Sequence, residues 1–76
     1  MKLYKKRSGS TGISAYSIGS DHIKIRFVDG SIYLYDFKST GKKNVEKMKQ
    51  LAEEGKGLAT FINKYVRKKF AAQLAR

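Results

Sequence analysis

The sequence contains no cysteine, no proline and no tryptophan, and it has a single histidine. Without cysteine the chain forms no disulfide and binds no zinc through thiolates. His22 has no second imidazole with which to share a metal ion, so we interpret it as a residue at a strand end and expect no cofactor. No run approaches the ~20 apolar residues of a membrane span, and no apolar segment follows the basic start. We therefore expect no signal peptide, no membrane span and a cytoplasmic protein.

Acidic residues are also scarce. Seventeen Lys and Arg residues stand against six Asp and Glu residues, which gives a net charge of +11 and an isoelectric point of about 10.1. Residues 1–12 carry +4, residues 13–37 carry −1 and residues 38–76 carry +8. A positive field of this size attracts polyanions, and nucleic acid is the first candidate.

The length of 76 residues and the apolar fraction of 41% are typical of one small folded domain. Residues 1–12 are predicted to form a basic flexible arm with a Ser/Gly hinge, "SGSTG". The arm would add non-specific attraction for polyanions through Lys5, Lys6 and Arg7. Residues 13–76 would form a single domain.

Strand patterns occupy the first part of that domain. "ISAYSI", "HIKIRFV" and "SIYLYDF" each favour a strand, and the second of them alternates apolar and basic residues. The Asp29-Gly30 pair between the last two is a strong hairpin signal, because both residues tolerate the positive φ of a tight turn.

From Gly41 the apolar spacing becomes helical. One helix would place Val45, Met48 and Leu51 on one stripe and end at Gly55, which accepts the left-handed conformation. A second helix would begin near Gly57 and continue its apolar stripe, which includes Tyr65, to Phe70. The fold class predicted is α+β, with a three-stranded antiparallel meander covered on one face by two C-terminal helices.

The ordered set of residues in "IRFVDGSIYLYDF…GLATFINKYVRKKF" resembles the KTSC domain family, named after a module at the C-terminus of some lysyl-tRNA synthetases. The resemblance covers roughly residues 13–70. The family has a Val-Pro turn after its tyrosine pair, whereas "FKSTG" stands there in this chain. The resemblance implies a small α+β domain, and RNA binding is the suggested role of the family. The matching positions are Ile25, Phe27, Gly30, Tyr33, Tyr35, Gly57, Phe61, Asn63, Val66, Arg67 and Phe70.

Tyr33 and Tyr35 share one face of their strand, and the turn decides which face that is. With a two-residue turn they lie beside Lys24 and Arg26 and form a platform on which bases stack. With a three-residue turn and a bulge at Gly30, the two rings pack under the helices instead. We favour the second register, and under it the tyrosines do not form a platform.

Lys64, Arg67 and Lys68 follow one side of the second helix. A solvated face normally mixes signs, yet no acidic residue occurs between residues 56 and 76. We therefore interpret this stripe as a polyanion-binding face rather than a solvated one. Asn63, beside it, would either cap the sheet edge or cradle a ligand, and we favour the structural role.

No Ser/His/Asp, Cys/His or paired-carboxylate pattern stands out, so an enzyme is not expected. The sequence predicts a small non-enzymatic module that binds RNA or single-stranded nucleic acid rather than duplex DNA. The alternative is an adaptor or self-associating protein whose charge serves an acidic protein partner. The sequence alone does not give the oligomeric state.

Overall fold

A computed structural model describes residues 1–4 and 12–75 of the chain. Within this part, four strands come first, the helices follow, and a last strand ends the described chain. The strands are β1 (Lys2–Leu3), β2 (Ile13–Ile18), β3 (His22–Phe27), β4 (Ile32–Asp36) and β5 (Ala72–Ala75). The helices are α1 (Phe37–Thr40), α2 (Lys42–Glu54), α3 (Leu58–Phe61) and a π-helical turn (Ile62–Val66).

The described strands form one sheet in the order β1-β2-β3-β4-β5, and every neighbouring pair is antiparallel. The predicted α+β class with an antiparallel meander is confirmed, and β2, β3 and β4 stand where the sequence placed them. The count of three strands is wrong, because β1 and β5 extend the sheet at its two edges. Alanine, glutamine and leucine favour helix, yet in β5 they pair with the free edge of β4.

Helix α2 has the predicted amphipathic pattern. Val45, Met48 and Ala52 are buried against the sheet, and Gly55 ends the helix with φ 79° in the left-handed region. Helix α1 was not predicted. It begins where the Asp36 carboxylate accepts a hydrogen bond from the Ser39 backbone nitrogen at 2.7 Å, which caps its first turn.

The prediction of one long second helix up to Phe70 is wrong. Helix α3 passes directly into the π-helical turn, which ends at Val66, and the chain then turns toward β5. The Thr40 hydroxyl donates to the Lys69 carbonyl at 2.6 Å, and the Ala71 nitrogen donates to the Leu34 carbonyl at 2.7 Å. These two bonds hold the segment in a path that a continuing helix would not follow.

The first residues also differ from the expected arm. Lys2 and Leu3 pair with β2, and Tyr4 is buried in the core with 4% of its surface exposed. Burial of the large Tyr4 ring removes much apolar surface from water, and this gain in free energy exceeds the preference of the neighbouring charged residues for solvent. The rest of the predicted arm, residues 5–11, lies outside the described residues.

All the helices pack on one face of the sheet, where the core lies. Ile23, Ile25 and Tyr35 from the sheet meet Met48 and Leu58 from the helices in one buried cluster. None of the described helices is long and apolar enough to cross a membrane, and the longest, α2, has 13 residues.

Candidate functional site

The basic segment, residues 64–69, contains the cations predicted to bind a polyanion. Ile62 and Val66 are buried beneath the helical layer, which leaves Lys64, Arg67 and Lys68 exposed to solvent. Lys69 is exposed as well. The ion pairs between described residues join other groups, Lys49 with Glu46 and His22 with Asp21. The positive charge of this segment is therefore not neutralised by any carboxylate in the described part of the chain.

An aromatic ring is exposed within the same segment. Tyr65 has 56% of its surface exposed, and its ring centroid lies 5.0 Å from that of Phe61. The sequence prediction placed Tyr65 on the buried stripe of an α-helix. In the wider π-helical turn, residues four apart stay nearly above one another, so Ile62 and Val66 point inward and Tyr65 moves to the side. The result is an aromatic surface directly beside Lys64.

The hairpin between β3 and β4 has the three-residue turn. The Gly30 nitrogen donates to the Phe27 carbonyl at 2.9 Å, and the Phe27 nitrogen donates to the Ser31 carbonyl at 2.8 Å. Gly30 has φ 93°, a conformation that glycine adopts without a steric penalty. Ile25 therefore pairs with Tyr33, and Ile23 pairs with Tyr35.

This register separates the tyrosines from Lys24 and Arg26. The two basic residues pair with Leu34 and Ile32 on the opposite face of the sheet, which no described helix covers. The platform that would combine Tyr33 and Tyr35 with these cations is therefore not formed. Tyr35 is 2% exposed, so its ring is not accessible to a base. Burial raises the pKa of its phenol to about 12, with the neighbouring Tyr33 adding to the effect.

Tyr33 instead lines a cleft of about 400 Å³ that lies between the β3–β4 turn and the π-helical turn. Its ring centroid lies 5.6 Å from that of Phe27 and 4.8 Å from that of Phe70, in both cases edge to face. The three rings form the apolar wall of the cleft. Polar side chains from the β3–β4 turn, from the π-helical turn and from the residue after it also line the cleft, namely Asp29, Ser31, Asn63 and Arg67.

The Asp29 carboxylate is held in place by its own turn. Oδ1 accepts hydrogen bonds from the Ser31 hydroxyl at 2.6 Å and from the Ser31 backbone nitrogen at 2.9 Å. These bonds stabilise the ionised form and lower the pKa of Asp29 below its usual value. Oδ2 accepts no hydrogen bond from any other described residue, so it is available as an acceptor for a ligand at the cleft.

The structure thus brings together some of the predicted site residues and separates others. Arg67 and Asn63 meet Tyr33 in the cleft, while Lys64 and Lys68 lie on the exposed surface of the adjoining segment. Lys5, Lys6 and Arg7 lie outside the described residues. Sequence reasoning missed the ring of Phe70 as a cleft wall, although Phe70 is one of the positions that match the KTSC resemblance.

His22 does not contribute to this site. Its Nδ1 lies 3.0 Å from Oδ1 of Asp21, and this hydrogen bond is the main cause that lowers the pKa of the Asp21 carboxyl. Within the described part of the chain, no group of three or more His, Cys, Asp or Glu side chains is placed to hold a metal ion.

No protein-family model, curated protein or solved structure matches this chain.

Proposed function

We propose that this protein is a small non-enzymatic module that binds single-stranded nucleic acid, RNA in preference to duplex DNA, through the basic segment. One observation carries the proposal: exposed cations with no carboxylate partner among residues 1–4 and 12–75 occur together with an exposed aromatic ring in six consecutive residues. Cations neutralise phosphates, and an exposed ring stacks on a base, which is how sequence-tolerant single-strand binders work.

The exposed ring of Tyr65 is what favours a single strand. Bases in a duplex are stacked on one another and present only their edges, whereas an unpaired base offers its face to an aromatic side chain. Cations alone would serve a duplex or an acidic protein equally well. We also propose that the chain is related to the KTSC family, for which RNA binding is the suggested role. In this proposal the protein acts in the cytoplasm, where RNA is available.

The alternative is an adaptor or self-associating protein with an acidic protein partner. The open face of the sheet favours this alternative, because Ile32 and Leu34 are only half-buried there beside Lys24 and Arg26. In that case the cations would act through charge alone, and a polyanion without bases would bind as well as RNA.

The test compares fluorescence anisotropy of labelled RNA, single-stranded DNA and duplex DNA of equal length at moderate salt, and measures the affinity of polyphosphate by competition. The variant replaces Lys64, Arg67 and Lys68 with Ala. The matched control replaces three other exposed cations that make no described ion pair, Lys43, Lys47 and Lys56, with Ala. Both variants lose three positive charges, so only a specific role of the basic segment separates them. Equal affinity of the two variants, or of RNA and polyphosphate for the parent, would contradict the proposal.

A further inference from the structure

We propose that the cleft between the two turns binds a single unstacked nucleobase, whose phosphate contacts Arg67 at the cleft mouth. This inference rests on the proposed function, because it assigns to one nucleotide of the bound strand a site of its own. It also makes a separate claim about free nucleotides, which does not require strand binding.

The shape and lining of the cleft favour a flat aromatic ligand. Its volume of about 400 Å³ lies within the range of small-molecule sites, which are mostly apolar with a few polar groups that fix orientation. Phe27, Tyr33 and Phe70 meet edge to face, so their rings present both faces and edges to the cleft. A planar ring gains stacking contact with such a wall that an aliphatic chain does not.

The polar groups match the edge and the phosphate of a nucleotide. Asn63 and Arg67 line the cleft, are exposed, and make no side-chain hydrogen bond with any described residue. The guanidinium group of an arginine such as Arg67 is permanently charged, and its planar set of donors matches the oxygens of a phosphate. The Asn63 amide both donates and accepts, as does the hydrogen-bonding edge of a base.

The second carboxylate oxygen of Asp29, Oδ2, adds selectivity among the bases. An ionised carboxylate accepts from the exocyclic amino group of a base, as it does from cytosine in other recognition sites. Uracil has no amino group, and the one donor on its pairing edge, N3–H, lies between two carbonyl oxygens that a carboxylate repels. The cleft should therefore take adenine, cytosine or guanine in preference to uracil.

The continuity of the cleft with the basic segment supports a nucleotide rather than another planar anion. Arg67 belongs to both, and Lys68 and Lys69 follow it directly on the exposed surface. A base held in the cleft would leave its two flanking phosphates beside these cations. The aromatic wall and the basic segment are therefore adjacent, as the base and the phosphates of a nucleotide are.

The first experiment titrates the whole protein with AMP, CMP, GMP, UMP and ribose 5-phosphate, and follows the ring protons of Phe27, Tyr33 and Phe70 by NMR. We expect the nucleotides with amino-bearing bases to shift these signals, UMP to shift them less, and ribose 5-phosphate to leave them unchanged. Ring signals that stay unchanged with every nucleotide would overturn the proposal, as would equal shifts with ribose 5-phosphate.

The second experiment measures the affinity of an RNA oligonucleotide and of an abasic strand with the same phosphates. The variants are Asn63→Ala and Phe70→Leu, and the control is Thr60→Ala, an exposed change outside the cleft. We expect Phe70→Leu to weaken RNA binding by about 5- to 150-fold, the range of one lost stacking contact. Asn63→Ala should weaken it by about 2- to 12-fold, the range of one lost hydrogen bond. Neither change should affect the abasic strand.

The outcomes separate the two proposals. If RNA binds through the basic segment but Asn63→Ala matches the parent and no ring signal shifts, the cleft inference fails and the proposed function stands. If nucleotides shift the ring signals but neither strand binds, the cleft inference holds and strand binding fails. Because Phe70→Leu removes a packed ring, the thermal unfolding of this variant is measured as well. If Phe70→Leu does not fold, the result for Asn63→Ala, at an exposed position, tests the inference.

Discussion

The phenol oxygen of Tyr4 accepts a hydrogen bond from the backbone nitrogen of Leu58 at 3.4 Å. The bond joins the first strand region to the start of α3, 54 residues apart in the sequence. Leu58 is fully buried, and its nitrogen stands in the first turn of a helix, where no carbonyl of the same helix is available to it. Burial of the Tyr4 ring raises the pKa of its phenol, and the hydrogen bond from Leu58 opposes this effect.

Replacing Tyr4 with Ala should lower the free energy of unfolding by about 3–5 kcal/mol, because a large buried ring leaves a cavity. Tyr4→Phe should cost about 1–3 kcal/mol, because it leaves the buried Leu58 N–H without an acceptor. Urea unfolding followed by circular dichroism measures both. Leu3→Ala, at a position with 78% exposure, is the control and should change stability by less than about 0.5 kcal/mol. A Tyr4→Ala variant as stable as that control would show that Tyr4 contributes nothing to the core.

The salt dependence of RNA binding should report the basic segment directly. Each phosphate contact with a single strand contributes a slope of about −0.7 in the plot of log affinity against log salt. Replacing Lys64, Arg67 and Lys68 with Ala should flatten the slope by about two units and leave thermal unfolding unchanged, since all three side chains are exposed. The three-lysine control described above should flatten it much less. An unchanged slope in the first variant would show that other residues make the phosphate contacts.

Tyr65 should contribute to affinity through its ring rather than its hydroxyl. Tyr65→Leu should cost about 1–3 kcal/mol of RNA-binding free energy, and the salt slope should stay the same because no phosphate contact is lost. Tyr65→Phe keeps the ring and should retain the affinity of the parent. Anisotropy titrations at several salt concentrations measure both quantities. If the Leu and Phe variants bind alike, the ring does not stack on a base.

The stability of the protein should fall between about pH 10 and pH 12. In the unfolded chain a tyrosine titrates near its ordinary pKa of about 10, while burial raises the pKa of Tyr35 in the fold to about 12. Between these values the unfolded state binds fewer protons than the folded state, so stability falls as pH rises, by at most about 3 kcal/mol in all. Below pH 10 this group contributes no pH dependence.

Urea unfolding at pH 9, 10, 11 and 12 measures this loss. Tyr35→Phe removes the titrating group and should reduce the slope above pH 10. A Tyr35→Phe variant that retains the full slope would assign the alkaline loss to other groups.

Local patterns predicted much of the fold. The β3–β4 hairpin, the bounds of β2 and the end of α2 at Gly55 all follow from signals within a few residues of each other. The edge strands were missed for a different reason. Neither β1 nor β5 has a strong pattern of its own, and each exists because its partner strand offers free backbone groups. Pairing of that kind depends on tertiary context, which a local pattern does not contain.

The candidate site shows the same division. Exposed cations could be predicted from the absence of acids near them, and the three-residue turn was the favoured of two registers. The cleft could not be predicted, because it depends on where the chain turns after the π-helical turn. An α-helical periodicity placed Tyr65 inside and gave no reason for Phe70 to leave the helix and stand beside Tyr33.

The position of β5 has a consequence for solubility. This four-residue strand covers the hydrogen-bonding edge of β4, and the segment that leads into it carries Lys68 and Lys69. Lifting it away would expose β4, whose residues favour strand pairing, as a template for another chain. Removal of residues 72–76 should therefore produce light scattering that grows with protein concentration, while the full chain stays clear. We therefore expect the strand that completes the sheet also to limit aggregation.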